Sequence, residues 1–201
     1  MLKKVGIVKS KNLMYKVFNE SISDDFLSIP KMKSSEYVSK CWNDYQKNYG
    51  KSSQNNSMNG NIFELIIESE LYRQSLYPMY IQAQVAFVPN AKFDILLYEA
   101  GKFPIGLSLK TSLRERYKQA DLEAVALKYV HRKALNYLIT LDEAEAKIAN
   151  EKAKQGDLLG INEVIVATNK EFDIFIELLS SMTFINPGKI DLVRASRIIE
   201  K

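Results

Sequence analysis

The chain has 201 residues, of which 46% are hydrophobic and 26% charged, so it can bury one sizeable core and shows no clear division into several domains. Its net charge of +4 permits a nucleic-acid partner without indicating one. No stretch approaches the ~20 continuous apolar residues of a membrane span, so we expect no membrane association.

The cysteine and histidine content narrows the chemistry further. One cysteine, Cys41, excludes an internal disulfide and is typical of a reducing compartment, so we expect a cytoplasmic protein. With a single histidine, His131, the sequence disfavours a structural zinc site and a Ser-His-Asp hydrolase. Any bound metal should then be a hard cation on oxygen ligands, Mg²⁺ or Mn²⁺.

The first third of the chain predicts short elements followed by two helices. Residues 1–30 predict short strands or loops that end at Pro30. Apolar spacing predicts an amphipathic helix over residues 34–49 and a second helix from Asn61 to about Gln74. The polar stretch between them, residues 51–61, predicts a loop rich in Ser, Asn and Gly.

After Pro78 the pattern changes to strands and then to alternating helices and strands. Three strands are predicted over residues 80–88, 92–99 and 103–110, with Ala100-Gly101 as the turn between the last two. A helix from Arg114 to about Ala134 shows one apolar face, formed by Leu122, Val125, Ala126, Tyr129 and Val130. The remaining predictions are a strand over 135–141, a helix over 142–154, a strand over 163–168, a helix over 171–182 and a short tail after Pro187-Gly188.

This order of elements predicts an α/β protein with a mixed central β-sheet flanked by helices. We expect one domain spanning residues 1–201. Within it, residues 1–57 are expected to form a peripheral or DNA-contacting subregion.

Candidate catalytic residues lie at the hairpin that follows Pro78. Asp94 stands between Phe93 and Ile95, so a regular strand would point its side chain away from both. In the next strand, Ser108 and Lys110 share a face. If the two strands pair, Asp94 and Lys110 approach each other near the open end of the hairpin. The alternative for Asp94 is an acid on a solvated face of the sheet.

An acid beside a lysine suits phosphodiester hydrolysis. That reaction needs an attacking water and stabilisation of the charge that develops on the phosphorus and on the leaving oxygen. One or two Mg²⁺ ions held by carboxylates supply most of this, and a lysine can orient the water or the phosphate.

Asp94 followed by Ser108-Leu109-Lys110 resembles the core motif of the PD-(D/E)XK nuclease superfamily. The resemblance implies a restriction-endonuclease-like core with Asp94 and Lys110 on neighbouring strands. The chain departs from the motif at Ser108, where the superfamily usually has an acid, and at Phe93, where it often has proline. In the restriction enzymes that cut CCGG and CC(N)GG, the acid lies on the following helix, about a dozen residues beyond the lysine, which is the position of Glu123.

The resemblance also reaches upstream, to the segment Gly60-Asn61-Ile62-Phe63-Glu64. This segment resembles the opening of the first core helix in many restriction enzymes, which makes Glu64 a further acid near the metal. Glu68, one helical turn later, is the alternative. The resemblance therefore implies catalytic roles for Asp94, Lys110, Glu123 and Glu64, with Asp94 and Glu123 as metal ligands.

The triplet Arg114-Glu115-Arg116 is the candidate for sequence recognition. Guanine offers paired acceptors that fit a guanidinium, and cytosine offers an amino donor that a carboxylate accepts. The CCGG-cutting enzymes carry a similar cluster at the same distance from the lysine, which assigns Arg114 and Arg116 to guanines and Glu115 to cytosines. The alternative is an exposed, salt-bridged first helical turn. Gln119 and Asp121 are candidates for groups that support the site.

The sequence thus predicts a Mg²⁺-dependent type II restriction endonuclease acting on a short G·C-rich palindrome of the CCGG or CC-N-GG type. Mn²⁺ is expected to substitute for Mg²⁺. A palindromic target favours a homodimer on double-stranded DNA, because each subunit then reads one half-site. The alternatives are a structure-specific repair nuclease of the same superfamily, a non-catalytic DNA-binding module, and an interaction protein with coincidental spacing.

Overall fold

The computed structural model describes residues 1–50, 56–88, 90–101, 103–114, 116–187, 193–194 and 197–200. Within these ranges it contains six α-helices, listed here in chain order: α1 Leu13–Ser21, α2 Ser34–Tyr45, α3 Asn56–Arg73, α4 Arg116–Val130, α5 Glu143–Gln155 and α6 Lys170–Ser180. A 3₁₀ turn covers Phe26–Ser28, and a π-helical turn over Gln46–Gly50 continues α2. None of the described helices is long and apolar enough to cross a membrane.

Seven strands are described: β1 Met79–Val85, β2 Phe93–Glu99, β3 Phe103–Lys110, β4 Leu135–Thr140, β5 Glu163–Val166, β6 Val193–Arg194 and β7 Arg197–Ile199. They form one mixed sheet in the order β5-β4-β3-β2-β1, with β6 and β7 both pairing with the outer edge of β1. The β1–β2–β3 part is antiparallel, and β3, β4 and β5 are parallel. The predicted α/β fold with a mixed sheet flanked by helices is confirmed at this level.

Helices cover both faces of the sheet. Buried residues of α1, α2, α3 and α6 pack against one face of the sheet. The resulting hydrophobic cluster contains residues from Leu2 to Ile199. On the other face, α4 and α5 pack over β4 and β5, and Leu127 of α4 also packs over β1 and β2. Strand β4 is buried on both sides, which is why its sequence reads as an almost continuous apolar run.

Two terminal segments differ from the sequence prediction. Residues 1–30 contain helix α1, capped by the Asn12 side chain, where strands or loops were predicted. Leu2, Phe18 and Phe26 from this segment are fully buried in the main cluster, so the segment is not peripheral. The tail after residue 188 contributes β6 and β7, because the outer edge of β1 leaves backbone groups that they satisfy.

The orientation of α4 also differs from the prediction. The predicted apolar face points outward, with Leu122 70% and Tyr129 87% exposed. The helix buries its other side, on which Tyr117, Ala120, Ala124 and Leu127 pack in the core. On the same side, the Asp121 carboxylate accepts hydrogen bonds from three successive backbone N–H groups in the loop before β5, at 3.2, 2.8 and 3.0 Å. Three such bonds fix this acid on the inner side of the helix. Asp121 therefore has a structural role.

Candidate functional site

The candidate site lies where β2 separates from β3. The regular β2–β3 pairing ends at Ile95↔Leu107. Beyond it, the backbone N–H of Leu109 donates to the Asp94 side chain at 2.6 Å instead of to a β2 carbonyl. At this point the Asp94 carboxylate replaces a backbone carbonyl as the acceptor, and the bond fixes the position of Asp94 at the mouth of the hairpin.

Lys110 and Asp94 meet as the sequence predicts. Lys110 Nζ lies 2.9 Å from Asp94 Oδ2, and both side chains are only partly exposed. Gly106, on β3, faces the ring of Phe93, the residue before Asp94. A Cβ at Gly106 would lie 2.6 Å from the Phe93 ring, so a side chain there would force that ring to shift.

Glu64 reaches the same place from helix α3. The side-chain amide of Gln82, on β1, donates from Nε2 to Glu64 at 3.0 Å and to Asp94 at 3.2 Å. One nitrogen therefore joins two carboxylates from different layers of the fold. Burial, and then the charge of Asp94, raise the pKa of Glu64 to about 7. Two partly desolvated carboxylates side by side make an environment in which a cation is favourable.

The alternative upstream acid, Glu68, has a different neighbour. It is fully buried and lies 3.3 Å from the guanidinium of Arg197 on β7. Burial raises the pKa of Glu68 to about 8, although Arg197 opposes the shift. Of the two acids, Glu64 is therefore the one linked to Asp94 through Gln82, and Glu68 is paired with Arg197.

Glu123, on α4, lies within electrostatic range of this cluster. Its carboxylate accepts a hydrogen bond from the Gln119 side chain at 3.1 Å, one helical turn earlier. Burial raises the pKa of Glu123, and the charges of Lys110 and Asp94 act on it with opposite signs, so all three belong to one electrostatic neighbourhood. The direct hydrogen bonds join Asp94 to Glu64 through Gln82 and leave Glu123 on the neighbouring helix.

The predicted recognition residues lie on the connection from β3 to α4. Arg114 has a left-handed backbone with φ of 44°, so the helix begins at Arg116 and not at Arg114 as predicted. Both arginine side chains are exposed, and Arg116 reaches Ser112 at 3.4 Å. Glu115 lies outside the described residues.

This connection is fixed from α5. The carboxylate oxygen Oε2 of Glu145 accepts hydrogen bonds from the backbone N–H groups of Leu113 and Arg114, each at 2.6 Å. A buried Leu113 adds a hydrophobic anchor. The backbone that presents the two arginines is therefore held in place by a partner 31 residues away from Arg114 in the chain.

The acids of this site are a small donor set for the implied divalent cation. No group of three or more His, Cys, Asp and Glu side chains close enough to hold a metal ion occurs within the described parts of the chain. Mg²⁺ commonly binds one or two carboxylates and completes its shell with waters and substrate phosphate oxygens. The Asp94–Glu64 pair, joined through Gln82, meets that smaller requirement.

Sequence reasoning missed two residues of the site, Gln82 and Arg197. Neither residue belongs to the motif on which the resemblance depends. Both are positioned by the pairing of their strands. No family model matches the chain. No curated protein and no solved structure matches it significantly either.

Proposed function

We propose that this protein is a Mg²⁺-dependent endonuclease with a PD-(D/E)XK-like core, acting in the cytoplasm on double-stranded DNA. The observation that carries the proposal is the convergence of Glu64, Asp94 and Lys110 at the mouth of the β2–β3 hairpin, within direct or amide-mediated contact. Two acids beside an ammonium group, partly shielded from water, suit metal-assisted phosphodiester hydrolysis.

In this proposal, Asp94 and Glu64 would hold the cation, and Glu123 on α4 would be a further ligand. The bound cation would supply charge neutralisation on the phosphate and activation of water. Lys110 is held by Asp94 and orients the attacking water or a phosphate oxygen. Water oxygen forms a new bond to phosphorus, one P–O ester bond breaks, the departing oxygen takes up a proton as a hydroxyl, and the proton lost by the water is released to solvent.

The proposed target is a short G·C-rich palindrome of the CCGG or CC-N-GG type. Arg114 and Arg116 are assigned to guanines and Glu115 to cytosines, since a guanidinium fits the paired acceptors of guanine. The exposure of both arginines and the anchoring of their backbone by Glu145 support this assignment. A palindrome also favours a homodimer, because a two-fold axis gives each half-site the same residues.

The test is digestion of a plasmid of known sequence with the purified protein, in Mg²⁺ and in chelator. Discrete fragments whose ends map to one G·C-rich palindrome would support the proposal. Cleavage only at branches or ends would favour a structure-specific nuclease instead. Binding without cleavage would favour a non-catalytic DNA-binding module. If the protein neither binds DNA at low salt nor cleaves it, DNA is not its partner.

A further inference from the structure

Gln82 has a backbone conformation that strands rarely contain. Its φ is 52°, in the left-handed region, although it lies inside β1 and carries a long side chain. Such a conformation is strained for a residue other than glycine and persists only where the surroundings enforce it. Neighbouring Ile81 and Ala83 are fully buried and pair with Ile95 and Phe93, so the strand is fixed on both sides of the strained residue.

The strain coincides with a change of face in β1. Met79 and Ile81 pack into the cluster under α3, whereas Ala83 and Val85 pack into the cluster under α4. A regular strand would keep all four on one face. Gln82 is the residue at which the alternation breaks.

Strand β2 changes face at the opposite position. Ile95 packs under α3 and Phe93 packs under α4, so the alternation breaks at Asp94. The sequence prediction that Phe93 and Ile95 share a face is therefore wrong. The flanking pairs Ile81↔Ile95 and Ala83↔Phe93 place Asp94 across from Gln82. In a regular sheet, residue 82 would share a face with Tyr80, on the side away from α3. The paired break instead lets the Gln82 amide reach Glu64 of α3 as well as Asp94.

We propose that Gln82 is the positioning residue of this site: its amide holds Glu64 and Asp94 side by side, and the kink in β1 serves to aim it. Two carboxylates that face each other without a cation repel, and an N–H donor shared between them offsets part of that repulsion. The pair is then already assembled when a divalent cation arrives. The identity of the cation rests on the proposed function, whereas the bridging role does not.

The first test measures binding of Mn²⁺ alone by titration calorimetry, without DNA. Gln82→Met keeps the length of the side chain and leaves the strained backbone position occupied by a residue other than glycine. It removes only the hydrogen bonds of the amide. Gln84→Met, two residues further along the same strand at an exposed position, is the matched control. Supporting groups of metal ligands typically contribute 10–100-fold to affinity. We expect a loss of about tenfold or more for Gln82→Met and none for Gln84→Met. Unchanged affinity in Gln82→Met would overturn the proposal.

The second test works in chelator and does not depend on metal binding or cleavage. Gln82→Met is expected to lower Tm by about 2–4 °C in the wild-type background. In a Glu64→Gln background the repulsion is absent, so the same substitution should lower Tm much less. Equal losses in both backgrounds would contradict the bridging role. If wild type binds no Mn²⁺, the proposed function fails and this cycle still decides the role of Gln82.

A third variant covers the case in which Gln82→Met does not fold. Gln82→Glu has the same shape and places a third negative charge between the two acids. We expect Mn²⁺ to raise the Tm of Gln82→Glu by more than it raises that of wild type, because the cation relieves a larger repulsion. An equal or smaller gain would contradict the proposal.

Discussion

Lys110 Nζ and Asp94 Oδ2 lie 2.9 Å apart at the point where β2 leaves β3, and the same Asp94 oxygen accepts the backbone N–H of Leu109. The carboxylate therefore closes the end of the sheet and holds the ammonium group. Substitutions at the two positions should therefore differ: a change at Lys110 should affect cleavage alone, whereas a change at Asp94 should affect both cleavage and stability.

Lys110→Met should lower the DNA cleavage rate at least ~10³-fold, because it removes the positively charged group beside the acid pair while leaving the Leu109 bond intact. DNA binding measured with Ca²⁺ should persist. Lys147→Met, at an exposed position on α5, is the control and should cut like wild type. Cleavage by Lys110→Met at more than a tenth of the wild-type rate would contradict the assigned role.

Asp94→Ala should also abolish cleavage, but at a cost in stability that Lys110→Met does not have. The Leu109 N–H loses its acceptor, which costs about 1–3 kcal/mol when such a group is left unsatisfied. Asp94→Asn keeps an acceptor oxygen and should recover most of the stability without recovering activity. Denaturant unfolding of the three proteins checks this order, and equal stability of the Ala and Asn variants would refute it.

The raised pKa of Glu64 predicts a pH-dependent difference between wild type and Glu64→Gln. An acid whose pKa is higher in the folded protein than in the unfolded chain binds more protons when folded, so its contribution to stability is present at acid pH and is lost as pH rises through about 7. In chelator, the Tm of Glu64→Gln relative to wild type should therefore rise between about pH 5 and 8. A difference that stays constant or falls over that range would argue against the shift.

Cation binding should show the opposite trend with pH. The cation needs the ionised form of Glu64, whose pKa is raised to about 7 by burial and by Asp94. The affinity for Mn²⁺ should increase as pH rises from about 6 to 8, and this increase should be smaller in Glu64→Gln. Titration calorimetry at several pH values measures it. An affinity independent of pH in wild type would remove Glu64 from the ligand set.

Glu145→Ala should loosen the connection that carries Arg114. It removes the acceptor of two backbone N–H groups, which is expected to lower Tm by a few degrees and to reduce discrimination between cognate and altered DNA sites more than it reduces total affinity. Glu151→Ala, at an exposed position on the same helix, is the control. Unchanged discrimination in Glu145→Ala would show that the anchor has no part in recognition.

Part of this site could be predicted from sequence because its signals are local. Alternating residues and the Ala100-Gly101 turn define the β2–β3 hairpin, and the hairpin alone brings Asp94 and Lys110 together. Glu64 was predicted from a short motif, and its contact with Gln82 agrees with a position at the site.

The rest depends on interactions that no local pattern carries. The left-handed backbone of Gln82 is not encoded by a glycine or an asparagine, and the pairing of β7 with β1 joins residues more than a hundred positions apart. The buried side of α4 includes a charged residue, Asp121, whose backbone hydrogen bonds the periodicity of apolar residues cannot indicate.

The most direct measurement is anomalous diffraction from a crystal of the protein soaked with Mn²⁺. We predict an anomalous peak that places Mn²⁺ within coordination distance of carboxylate oxygens of both Glu64 and Asp94, with the Lys110 ammonium group beside it. A crystal in which Mn²⁺ occupies other positions while Glu64 and Asp94 keep their shared amide and bind no ion would contradict it.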